Sequence, residues 1–187
     1  IRPHLQVRMP SFDYTDEEWN DLISYFQQKD NLDLLYEDPH NFTLNSSSFK
    51  AGERIAEMGA CINCHFYGAE KPKQDALTWA PNLVLTKERL RPEWLVEWFI
   101  NPQDVMPGTK MPAPYIPTEE PQNSIREVWG SDVAKISRDS TKLYKSLIDW
   151  MWGMEGRKDV SSIVKRHLNS QGYGFIIEEE DDWGDEW

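Results

Sequence analysis

The pentapeptide Cys61-Ile62-Asn63-Cys64-His65 constrains this chain more than any other feature, because it has the attachment pattern for c-type haem. Two thiols add across the two vinyl groups of a porphyrin, and two intervening residues let one backbone turn present both sulfurs to the ring edge. The histidine that follows directly then lies under the iron as proximal ligand. Cys61 and Cys64 are the only 2 cysteines in 187 residues, so no thiol is left over for a separate disulfide framework. Hydrophobic residues make up 39% of the chain and aromatic residues 12%, enough to pack a core around a large apolar cofactor.

Two other chemistries use a Cys-X-X-Cys pair. Zinc needs a closed set of about four ligands, usually from two knuckles. Here no second cysteine pair occurs, and His4, His40 and His167 are scattered without the short spacing of a finger. A thioredoxin-like dithiol is expected beside a βαβ pattern, and the flanking sequence has none. Both are weaker readings than haem.

A second motif, Pro107-Gly108-Thr109-Lys110-Met111-Pro112, lies downstream. Between the two stand Ala80-Pro81-Asn82-Leu83, then Pro92-Glu93-Trp94-Leu95-Val96-Glu97-Trp98-Phe99 and Asn101-Pro102. In that order, the stretch from about Ser48 to Ala113 resembles a class I (monohaem, His/Met-ligated) cytochrome c. The resemblance covers about a third of the chain. It implies an all-α class I cytochrome c fold around one covalent haem c, held by thioether links from Cys61 and Cys64 with His65 as proximal iron ligand. It also implies that the Met111 sulfur is the distal ligand, and that the Pro81 carbonyl accepts the ring N–H of His65 and fixes its orientation. Trp79 and Trp98 are expected to wall the cofactor beside Pro81, although core packing is the default for any tryptophan.

The distal position has a rival. A thioether is soft and neutral and stabilises reduced iron relative to a second nitrogen ligand, but Met106-Pro107 repeats the Met-Pro pattern just before Met111. Gly108 favours Met111, since a permissive backbone helps bring a loop close to the haem. Met58, Met151 and Met154 read as helix-face packing residues.

The chain reads as helical in outline. Thr15-Asp16-Glu17-Glu18 is a capping box, followed by Trp19, Leu22, Ile23 and Phe26 at the spacing of an amphipathic helix. Further helices are predicted from about Phe49 to Gly59, from Pro92 to near Asn101-Pro102, and from Asp139 or Ser140 with Leu143, Leu147, Ile148 and Met151 on one face. In the family, such a last helix crosses the first helix of the domain. The connection from Pro112 to Arg138 holds Pro112, Pro114, Pro117 and Pro121. It reads as a long connection that starts as an irregular or extended loop, with a short helical turn from Ser124 to Trp129, suited to covering a haem edge or touching a partner. Domains are expected at 1–45 (an extension), 46–155 (the haem domain) and 156–187 (an extension with an acidic tail).

Residues 1–30 carry a further resemblance. Val7-Arg8-Met9-Pro10-Ser11-Phe12 and the capped helix after it look like the C-terminal end of a second class I cytochrome c, yet no haem-binding pentapeptide precedes them. They read as the remainder of a longer protein, as a domain that lost its front half but kept a docking helix, or as a chance match. The chain has neither an initiator methionine nor a signal peptide at its start, so it is read as beginning after processing or truncation.

Charge is uneven: the net of −12 divides into −6 over 1–49, 0 over 50–115, +1 over 116–177 and −7 over 178–187. Nucleic-acid binding is not expected, since phosphate neutralisation needs clustered Lys and Arg. The tail repels itself, and with Trp183 and Trp187 it is expected to rest on a basic surface of a neighbour. The longest apolar run, Trp94 to Ile100, is interrupted by Glu97 and falls short of a membrane span.

Two functional classes remain. The first is one-electron transfer between a redox donor and a redox acceptor protein, as a subunit of a larger complex rather than a diffusing shuttle. The second is a haem enzyme or gas-sensing module with an exchangeable sixth ligand. Nothing offers a substrate pocket or a general base beside an open iron position, so electron transfer is the expectation, and with it no enzymatic activity of the chain's own. The family resemblance implies an exported protein, in the periplasm or on the outer face of a bacterial membrane, because covalent haem attachment is performed outside the cytoplasm.

Overall fold

A computed structural model describes residues 12–30, 40–172 and 174. The chain divides into two compact units, Ile1–Pro39 and His40–Trp187. In the first, α1 (Asp16–Lys29) begins at the capping box seen in the sequence. The Thr15 hydroxyl accepts from the Glu18 backbone N–H at 3.3 Å, and the Glu18 carboxylate accepts from the Thr15 N–H at 2.8 Å. Its apolar stripe of Trp19, Leu22, Ile23 and Phe26 stays exposed, and the Tyr14 ring meets Trp19 edge-on at 5.1 Å. Met9 and Pro10 lie outside the described residues.

The second unit is helical. It contains α2 (Ser47–Met58), α3 (Thr86–Arg89), α4 (Pro92–Ile100), α5 (Pro102–Val105), α6 (Gln122–Val128), α7 (Ser131–Ile136), α8 (Ser140–Trp152) and α9 (Ser161–Ser170). Extended pairing among the described residues is confined to two isolated bridges, His65 with Ala80 and Tyr67 with Glu70. Helix ends follow local chemistry. Ser46 caps α2 by accepting from the Phe49 N–H. Pro92 opens α4, where its missing N–H has no intrahelical partner to lose. The Asp139 carboxylate caps α8 by accepting from the Lys142 N–H.

The core forms where α2 crosses α8. Phe49, Ile55 and Ala56 of α2 join Leu143, Leu147, Ile148 and Met151 of α8, with Leu95 and Phe99 of α4 against them. Gly52 sits at the crossing, where a Cβ would lie 1.8 Å from the Ser146 carbonyl oxygen. A mid-helix glycine costs roughly 0.5–1 kcal/mol relative to alanine, and here it lets two backbones touch. Beside the crossing, His40 Nε2 meets the Asp149 carboxylate at 2.7 Å, with side-chain exposures of only 7% and 5%.

One expectation changes, and two segments carry more structure than the sequence announces. The connection after Met111 is irregular as far as Pro121; α6 stands where a short helical turn over Ser124–Trp129 is expected, and α7 follows it, with Ile125, Trp129, Val133 and Ala134 buried in the same core. Gly130 at φ +90° separates the two short helices, and each turns apolar residues into the core, which repays the ordering of this segment. The region after residue 155 begins as structure too, because α9 packs into the second unit through buried Ser162, whose hydroxyl accepts from Arg157 at 2.8 Å. Met58 is exposed rather than packed on a helix face, whereas Met151 is buried and Met154 rests against the core. The acidic tail 178–187, with Trp183 and Trp187, lies outside the described residues. Among the described residues no helix is long and apolar enough to cross a membrane.

Candidate functional site

Helix α2 stops at Gly59, and Ala60 adopts a left-handed conformation at φ 52° that turns the chain into a 3₁₀ turn over Cys61–Asn63. The Cys61 carbonyl accepts from both the Cys64 N–H (3.2 Å) and the His65 N–H (2.9 Å). That doubly used acceptor packs the pentapeptide into one turn and leaves both thiols half-buried and unbridged. Burial pushes the Cys61 thiol up to about 11, with the neighbouring Cys64 acting in the same direction. Among the described residues no three His, Cys, Asp or Glu side chains gather into a metal-binding group.

Segment 64–66 is laced to segment 80–83. The Ala80 N–H donates to the Cys64 carbonyl at 2.8 Å, and the Leu83 N–H donates to the Phe66 carbonyl at 3.0 Å. Pro81, between these two rungs, has no N–H to place, and its carbonyl meets His65 Nδ1 at 2.7 Å. A carbonyl can only accept, so Nδ1 carries the proton and Nε2 keeps a free lone pair. Burial pushes the His65 imidazole below its ordinary range, against the opposite pull of the Pro81 bond, so the ring is neutral near pH 7. The structure thus joins two of the residues singled out from the sequence.

It joins a second pair. Met111 is partly buried against the core, and its sulfur accepts from the Trp98 indole N–H at 2.9 Å. Trp98 is held in turn by stacking on Trp94, with ring centres 5.1 Å apart. The Lys110 ammonium donates to the Leu77 carbonyl at 3.4 Å, tying this loop to the turn that leads into Pro81. Met106, the rival, is 55% exposed. Gly108 takes φ +86°, the positive-φ conformation that makes a glycine useful in this loop.

Trp79 is held by contacts on two sides. Its indole N–H donates to the Gln74 carbonyl at 3.0 Å, and its ring lies between Phe66 (5.2 Å) and His167 of α9 (4.6 Å). It therefore connects the Pro81 turn to the C-terminal helix.

Sequence reasoning passed over three further residues here. Asn82 is buried: its side-chain oxygen accepts from the N–H groups of Gly68 and Val84, while its amide donates to the carbonyls of Arg157 (2.9 Å) and Lys158 (3.2 Å). Its signal was readable only in part, as a polar cap before Leu83-Val84-Leu85. Tyr67 and Trp150, with ring centres 5.2 Å apart, help line a cleft of about 630 Å³ behind Ile62 and Asn63. Burial, with the charge of Cys61 next, pushes the Tyr67 phenol well above its ordinary range, so it stays a neutral packing group.

The donor set suits a covalently attached haem: two thiols on one turn, an imidazole with Nε2 uncommitted, and a thioether on a loop tied to the same region. Comparison with protein-family models, with curated proteins and with solved structures gave no match.

Proposed function

We propose that this chain is an electron-transfer protein of the class I cytochrome c type, carrying one covalent haem c on Cys61 and Cys64. The observation that carries the reading is the His65 Nδ1–Pro81 carbonyl bond of 2.7 Å within the laced turn. It commits the inner nitrogen, orients the ring and leaves Nε2 as the ligand, which is what a neighbour of a metal-binding histidine ordinarily does. The crossing of α2 with α8, the first and last helices of the stretch read as the haem domain, supports the same reading.

When bound, the haem supplies one-electron exchange between Fe(III) and Fe(II). The chain's own residues do the rest. Cys61 and Cys64 would hold the haem covalently, and His65 would offer a neutral imidazole to its iron. Met111, its sulfur oriented by the Trp98 indole N–H, would offer a neutral thioether, which favours the reduced state. Donor and acceptor are redox proteins, and the chain acts as a subunit of a larger exported complex, in the periplasm or on the outer face of a bacterial membrane. The exposed apolar stripe of α1 fits a life in an assembly, since tertiary packing supplies most of the stability of such helices.

The test is chemical. Acidified acetone should fail to extract the haem, and the denatured protein should still give a c-type pyridine haemochrome. A haem that extracts freely sinks the proposal. Carbon monoxide separates electron transfer from the enzyme or sensor class, because it should bind reduced iron readily only where the sixth ligand exchanges.

A further inference from the structure

We infer that Gln103 is a positioning residue for Met111, its one amide closing the methionine loop from both edges. The inference rests on the ligation reading above. Gln103 belongs to α5, a single turn anchored by fully buried Pro102 and by the Met106 N–H donating to the Pro102 carbonyl at 2.9 Å. From there its side-chain nitrogen donates to the Thr109 carbonyl, and its side-chain oxygen accepts from the Gly108 N–H at 3.2 Å. The clamp grips the two residues where the chain reverses, at Gly108 with φ +86°. Thr109 passes the constraint on: its N–H donates to the Met106 carbonyl at 3.1 Å, and its hydroxyl accepts from the Met111 N–H at 3.4 Å.

Between Pro102 and Thr109 the loop has few buried contacts. Val105, Met106, Pro107 and Gly108 are exposed, and a segment with few buried contacts opens easily. Trp98 orients the Met111 sulfur itself, but Gln103 sets how often the backbone beneath it lets go. Only an amide can serve both edges. A glutamate of the same shape can accept from Gly108 but has no hydrogen for the Thr109 carbonyl and repels it.

The consequence is a controlled population of the state in which Met111 is released. An external ligand that needs the sixth position binds with an apparent affinity reduced by the fraction of molecules in the open state. Loosening the loop by about tenfold, equivalent to about 1.4 kcal/mol, therefore tightens apparent binding by the same factor.

Imidazole titration of the oxidised, haem-loaded full chain reads this directly, through loss of the near-infrared Met–Fe(III) band. Gln103→Leu and Gln103→Glu should each lower the apparent imidazole dissociation constant by about tenfold. Hydrogen exchange at the Gly108 amide should rise about tenfold in both variants, because the opening that releases Met111 also frees this amide, while the amides of α2 exchange as in the wild type. That contrast separates a lost clamp from general loosening. If the wild type shows the band and both variants bind imidazole as it does, Gln103 has no positioning role. If the wild type lacks the band from the outset, Met111 is not the ligand, and both the ligation reading and the role of Gln103 fall.

Discussion

Gly52→Ala should be among the most damaging single-methyl changes in the second unit, although on an isolated helix it would be favourable. Alanine in place of glycine stabilises a helix interior by roughly 0.5–1 kcal/mol. At this position, however, the added Cβ would lie 1.8 Å from the Ser146 oxygen, 2.4 Å from the Ser146 carbonyl carbon and 2.9 Å from the Leu147 nitrogen. All three are backbone atoms, so no rotamer change relieves the clash. Restoring ordinary contact means parting the two backbones by about 1.5 Å at Gly52; spread over the crossing by tilting, that leaves gaps of about 0.5 Å at the neighbouring side chains, each forfeiting about a quarter of a dispersion well. Phe49, Ile55, Leu143 and Leu147 are buried around the crossing. If each loses about a quarter of some 40 contacts worth about 0.1 kcal/mol, the loss is about 4 kcal/mol. Subtracting the helix gain leaves a net cost of about 3 kcal/mol, at the upper end of measured overpacking penalties. Urea unfolding followed by far-ultraviolet circular dichroism checks it. With a slope of about 2 kcal/mol per molar, the midpoint should fall by about 1.5 M. A midpoint that stays put or rises would show that the helices do not meet at Gly52.

Three further outcomes follow from contacts on other elements. His40→Ala strands the buried Asp149 carboxylate and should cost about 3–5 kcal/mol; Asp149→Asn, which keeps an oxygen for His40 Nε2–H, should cost less, and a His40→Ala loss below about 1 kcal/mol would contradict the pairing. Asp132, held below the ordinary carboxylate range by Lys135 and then by Ser47, ties α7 to the start of α2. Its folded-state pKa is depressed, so its contribution is present above about pH 4 and is lost as pH falls further; the stability gap between wild type and Asp132→Asn should shrink from pH 5 to pH 3, and a constant gap would count against the linkage. Met111→Ala should abolish the near-infrared Met–Fe(III) band while Met106→Ala spares it, and the opposite pattern would make Met106 the ligand.

What could be read in the sequence was whatever short-range chemistry decides. The Thr15 capping box, Pro92 at the start of α4 and Asp139 before α8 each announce a helix end through groups only a few residues apart, and each stands there. The Cys61–His65 turn is local in the same way, because a single carbonyl closes it. What stayed hidden depends on partners far along the chain. Asp149, inside the apolar run Leu147-Ile148-Asp149-Trp150-Met151-Trp152, signals by its oddness that a buried carboxylate must have a partner. Nothing local says that the partner is His40. Asn82 likewise announces a cap but not its reach to Arg157 and Lys158. The same limit explains α6, α7 and α9. Prolines through Pro121 read as a loop, and helices as short as α6 and α7 show too few apolar residues each to announce a face before a core exists to receive Ile125, Trp129 and Val133. Gly52 lies between the two cases. A glycine inside a helix is a local cost that asks for a distant reason, and the reason is the Ser146 backbone. Residues that break a local rule are therefore where this sequence points beyond itself, and Gly52, Asp149 and Asn82 mark the contacts that bring the Cys61 turn, the Pro81 turn and the last core helix into one unit.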